Sequence, residues 1–172
     1  MDILKIANEW ARDEIFSTRF FIVFAIVFIV ASIGFWQLGK TATAKAFVFP
    51  TLVAGLLLMA VGVGLYVTNQ GRLNRFTADF ENDSTAFVQA ELERAEKTVV
   101  EYENVVFKVI PLIIAAAALL IVFVDRPLWR AIAITTIAMM AVILLIDSNA
   151  SARMQEYKTH LVEASTSSGI ND

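Results

Sequence analysis

Apolar positions in this chain gather into four long blocks, and no charged residue interrupts Phe20 to Gly39, Ala46 to Gly71, Leu112 to Val124 or Ala131 to Ile146. A helix needs about 20 mainly apolar residues to cross a hydrocarbon core of roughly 30 Å. The blocks therefore predict four transmembrane helices, over residues 15–36, 46–68, 105–124 and 128–146. In the first, the ten Phe, Ile and Val residues between Phe20 and Val30 contribute about −3 to −6 kcal/mol towards insertion. Arg19 opposes this by less than the roughly 3 kcal/mol of a central charge, because it lies near the edge and can snorkel. A cleaved signal peptide is the competing reading. The run exceeds the usual h-region of about 7–15 residues, so a retained span is expected. Lys108 and Arg130 can snorkel and extend the shorter third and fourth blocks. Asp125-Arg126-Pro127 reads as a tight turn, with Pro127 opening the next helix.

Between the blocks the period changes. Leu73, Phe76 and Phe80 continue the second helix beyond its span, and Glu81-Asn82-Asp83-Ser84 breaks it, with Asp83 or Ser84 as the next cap. Val88, Leu92, Ala95, Val99, Tyr102 and Val106 then follow at spacings of 4, 3, 4, 3 and 4, a heptad seam entering the third span. Glu93 and Lys97 are ordered for an i,i+4 pair. Ala150, Met154, Tyr157 and Leu161 repeat the seam after the fourth span, and Ile3, Ile6 or Ala7, and Trp10 repeat it less regularly at the start.

The expected fold is thus all-α: a polytopic membrane protein with four transmembrane helices as two hairpins and a short cytoplasmic helical bundle formed by helix extensions. Its parts are an amphipathic N-terminal helix (1–14), a first transmembrane hairpin (15–68) and a cytoplasmic helical hairpin (69–104). A second transmembrane hairpin (105–146), a cytoplasmic C-terminal helix (147–164) and a disordered tail (165–172) complete it.

Charge sets the orientation. An even number of spans puts both termini and the 69–104 connection on one side, with ten of the fourteen Lys and Arg residues. Only Lys40, Lys45, Arg126 and Arg130 lie opposite. The basic side is expected in the cytoplasm, in the inner membrane if the cell is bacterial. Trp36 and Trp129 then fall at the outer interface.

Composition mainly excludes. With no cysteine there is no disulfide, thiolate metal site or cysteine nucleophile. The lone His160 builds no histidine-rich site, and a net charge of −3 offers no basic face to nucleic acid. No span carries an ionisable residue near its middle, where proton relays and ion-coupled transporters need one. Neither a phosphate loop nor a calcium loop is present. No enzyme activity, cofactor or metal is expected.

The candidate functional features are accordingly structural. Gly55, Gly62 and Gly64 in the second span form a candidate membrane packing face, since small residues let helices approach closely. Arg19, Glu103, Lys108 and Asp147 form a candidate charge layer at the cytoplasmic interface. The candidate cytoplasmic seam comprises Val88, Leu92, Ala95, Val99, Tyr102, Tyr157 and Leu161. Ser32, Thr51, Thr135 and Thr136 are expected to bond back to their own helices, and Pro111 to kink the third. Glu14 and Arg19 match Glu103 and Lys108 in spacing, and Asn69 and Arg72 nearly match Asn149 and Arg153, a possible internal repeat. Beyond the lipid bilayer, the expected partners are copies of the chain or a larger membrane complex. The expected role is a scaffold or accessory subunit; the alternative is a small homo-oligomeric channel gated by an apolar constriction.

Overall fold

A computed structural model describes residues 2–167. Every regular element among them is helical. α1 runs Ile3–Leu38, α2 Ala42–Ala46, α3 Val48–Asn82 and α4 Ser84–Glu101. A π-helical stretch, Tyr102–Val109, leads into α5, Ile110–Phe123; α6 runs Pro127–Ser167. These elements make four rods, each long and apolar enough to cross a membrane.

α1 has 36 residues and so a length of about 54 Å, well over the bilayer core. It unites the expected N-terminal helix and the first span without a break. Asp2 caps it, its carboxylate accepting the Lys5 amide at 3.1 Å. In the second rod Phe47 alone separates α2 from α3, and Pro50 falls in the first turn of α3, where a missing N–H costs little. α3 ends at Asn82, and Asp83 caps α4 by accepting the Ala86 amide at 2.9 Å. Pro127 is the first residue of α6. That helix continues through Ser167, so residues 165–167, expected in the tail, are helical. The rest of the expected tail lies outside the described residues.

Around Pro111 the ladder widens over eight residues, the Ile110 amide reaching the Val105 carbonyl five positions back. Proline offers no amide, and its ring collides with the carbonyl four residues earlier in an α-helix. Widening the preceding turns relieves that collision, so the irregularity expected at Pro111 takes the form of a π-helix.

Two apolar clusters hold the rods together. In the uncharged zone, Phe21 and Ala25 of α1, Leu58 of α3, and Val142 and Ile146 of α6 are buried against one another. At the charged end, α1, α3, α4 and α6 converge on Ala7, Trp10, Phe76, Val88, Tyr157 and Leu161. α1 lies along α3, and α5 lies against α6. α5 supplies no residue to either cluster.

Candidate functional site

The polar residues that come together lie at the charged end, on stripes that otherwise carry core residues. In α1 the buried positions include Ala7, Trp10, Ala11, Glu14, Thr18, Phe21 and Ala25, a spacing of three and four that makes Glu14 part of the inward face. Arg153 of α6 meets it. Its Nε and Nη2 donate to Glu14 Oε1 at 3.1 and 2.9 Å, and Nη2 also donates to Ser17 Oγ at 2.8 Å. Burial raises the Glu14 pKa from its ordinary value by more than the Arg153 charge lowers it.

One helical turn nearer the N-terminus of α1 is a second assembly. Arg94 of α4 grips Glu91 with both Nε and Nη2, the former at 3.0 Å. Tyr157 of α6 donates its hydroxyl to Glu91 Oε2 at 2.9 Å. The Trp10 ring stacks on Tyr157 with centroids 5.1 Å apart, and the Arg94 guanidinium lies 4.4 Å from the Trp10 centroid. Burial, then the adjacent Glu91 carboxylate, raises the Tyr157 pKa, so the phenol keeps its proton and remains a donor. Lys158 and Glu96 add an α6–α4 ion pair at 3.5 Å. The expected Glu93–Lys97 pair is not among the ion pairs of the described residues; α4 instead directs Glu91 and Glu96 across to α6.

The cytoplasmic-seam candidates all reach this cluster. Val88, Ala95, Tyr157 and Leu161 are buried in it, while Leu92, Val99 and Tyr102 pack at its edge, partly buried. The candidate glycines divide. A Cβ on Gly55 would lie 2.7 Å from Ile29 Cγ1 and 2.9 Å from the Ala25 carbonyl oxygen, and one on Gly62 would lie 2.9 Å from Phe21 Cβ. Both admit α1. Gly64 meets nothing within 4 Å, because two residues beyond Gly62 the helix has turned away from α1.

The four charge-layer candidates are not joined by any ion pair among the described residues. Arg19 is exposed, its guanidinium 5.7 Å from the Phe16 ring centroid, because its helical phase differs from that of Glu14. Glu103 and Lys108 are exposed, and Lys108 donates to Asn104 Oδ1 at 2.8 Å. Asp147 is partly buried, and burial followed by the neighbouring Glu14 charge raises its pKa from 3.8 to about 6.

A carboxyl with a raised folded pKa binds more protons when folded. Its contribution to stability is therefore greatest below the unfolded value and is lost as pH rises through the folded one. Asp147→Asn is expected to stabilise the protein by about 1 kcal/mol near pH 7.5, after discounting for solvent screening. The share of the pH dependence that Asp147 contributes between about 4 and 6 should vanish in thermal melts. An unchanged profile would show that Asp147 is solvated.

Other expectations resolve individually. Thr51 bonds back to the Phe47 carbonyl of its own rod at 2.7 Å. Ser32 instead crosses to the Val48 carbonyl of α3 at 2.7 Å, helping to tie α1 to α3. Thr135 is buried, and its hydroxyl has no hydrogen-bond partner among the described residues, so the expected bond back to its own helix is not made. His160 Nδ1 lies 3.7 Å from Glu163 Oε2. The matched pairs of the possible repeat take different surroundings: Glu14 is buried and Glu103 exposed, and Arg72 donates to Asn69 whereas Arg153 donates to Glu14.

Glu91 and Arg94 escaped selection as site residues although a signal for them existed. Glu91 lies three residues from Val88 and four from Ala95, on the seam itself. No spacing rule connects Glu14 to Arg153, which are 139 positions apart. Chemically, the layer clamps helices: each acid in these assemblies is engaged by a cation or a phenol from the same layer. No known protein family, characterised protein or solved structure matches the chain.

Proposed function

We propose that the protein is a non-enzymatic integral membrane protein with both termini in the cytoplasm, serving as a scaffold or accessory subunit. In this reading the four rods form two transmembrane hairpins, and their extensions form a cytoplasmic bundle locked by the Glu14–Arg153 and Glu91–Arg94–Tyr157 assemblies. The ten-to-four bias of basic residues supports that orientation.

The observation that carries the assembly role is the position of α5. It contributes to neither apolar cluster and exposes Leu112 by 71%, Val122 by 73% and Phe123 by 79%. The second span does not supply the whole contact face, because α1 occupies the Gly55 and Gly62 side of α3. We assign the contact face to α5, with a second copy or another membrane subunit covering it.

The natural chain has no cysteine, so single-cysteine variants give an unambiguous test. In native membranes, Val122→Cys is expected to form a crosslinked adduct with a short bifunctional thiol reagent or a photoactivatable maleimide. Val30→Cys on the outward side of α1 should give none. Equal absence at both positions would remove α5 as the assembly face.

A further inference from the structure

Between α1 and α6, at the level where both leave the uncharged zone, lies a groove of about 430 Å³. Its α1 wall descends through Asp13, Ser17, Phe20 and Phe24. Its α6 wall carries Arg153 and Asn149 beside the polar part and Ile146 beside the apolar part. The eleven helical steps from Asp13 to Phe24 span about 16 Å, close to half of a hydrocarbon core of roughly 30 Å. The groove is therefore one leaflet deep, polar at its mouth and aromatic below.

The mouth offers one charge of each sign. Arg153 uses Nε and Nη2 on Glu14 and Ser17, and no hydrogen bond among the described residues engages its Nη1. Asp13 is exposed and has no ion pair among them. A phosphate suits the remaining guanidinium donor, and a primary ammonium, with three N–H groups, suits the carboxylate. A purely anionic headgroup would meet Asp13 beside Glu14. A quaternary ammonium would favour an open aromatic face, but Tyr157 stacks on the nearby Trp10 ring and Arg94 also lies over it, at 4.4 Å.

We propose that this groove binds one zwitterionic phospholipid of the phosphatidylethanolamine class, drawn from the leaflet at the charged end. The phosphate sits at Arg153, the ammonium at Asp13, and an acyl chain lies along Phe20 and Phe24. The site needs only the four spans to be in a membrane and is independent of the assembly proposed for α5.

The test is native mass spectrometry of the full chain in micelles, with equimolar phosphatidylethanolamine, phosphatidylcholine and phosphatidylglycerol bearing identical acyl chains. Wild type is expected to retain phosphatidylethanolamine about tenfold over the other two, the effect of roughly one charge-assisted hydrogen bond. Asp13→Asn should abolish that preference, and Asp13→Lys should transfer it to phosphatidylglycerol, with melting temperature unchanged because Asp13 is exposed. Phe24→Ala should weaken retention of all three lipids by a similar factor, since it removes an apolar wall. Equal retention of the three headgroups by wild type, or an undiminished preference in Asp13→Lys, would overturn the assignment.

Discussion

Arg153→Ala is expected to lower the stability of the folded chain by about 3–4 kcal/mol, the largest effect of any single substitution in the polar layer. What remains weighs more here than what is removed. Glu14 is only 8% exposed and receives two hydrogen bonds from Arg153, which also holds Ser17. Without the guanidinium, the carboxylate must stay charged in a poorly solvated place or take up a proton. Burial already raises its pKa, so the variant should protonate Glu14 more readily and lose less stability in acid than at neutral pH.

Arg153→Lys should recover only part of the loss, because an ammonium cannot reproduce the fork of contacts to Glu14 and Ser17. The double variant Glu14→Gln, Arg153→Met should be more stable than Arg153→Ala, since neither buried charge is left alone. Reversible unfolding in mixed micelles reads all these differences. A loss below about 1 kcal/mol for Arg153→Ala would assign the pair to solvated surface.

Gly55→Leu is expected to be the most damaging change within the apolar zone, costing about 3 kcal/mol or more and loosening α1 from α3. Even a methyl group there would approach the Ala25 carbonyl oxygen to 2.9 Å, and backbone cannot swing aside as a side chain can. The two rods must separate, which also weakens the Phe21, Ala25 and Leu58 contacts and the Ser32 bond to α3. Gly62→Leu should follow closely, its obstacle being Phe21 Cβ. Gly64→Leu is the internal control. It adds the same side chain to the same helix but meets open space, so melting should change by less than about 0.5 kcal/mol equivalent. Equal tolerance at Gly55 and Gly64 would contradict the close α1–α3 approach.

These glycines also show where sequence reading stops. Composition marks all three as small, but only helix phase relative to a particular neighbour separates Gly55 and Gly62 from Gly64. The four apolar rods and the cap at Asp83 were legible because insertion energetics and capping are local. The heptad seam was legible for the same reason, and its residues meet at the charged end.

The charge layer was less legible because depth was read without azimuth. Arg19, Glu103, Lys108 and Asp147 were placed by their distance from the span ends alone, and the inward stripe of α1 passes through Glu14 rather than Arg19. Glu91 could have been found by asking which polar residue interrupts the seam. Tyr157 was legible as a seam residue, but its bond to Glu91, 66 positions away, was not. The π-helical form taken around Pro111 likewise depends on how a whole rod accommodates a missing amide.

The proposed assembly, with further copies of the chain or with another membrane subunit, is tested most directly by the mass of the particle released from its own membrane in lipid nanodiscs, without exposure to stripping detergent. The account predicts a particle containing several copies of the chain, or this chain with another subunit, and conversion to smaller particles by charged substitutions on the exposed face of α5. A particle holding one chain and lipid alone, unaltered by those substitutions, would contradict it.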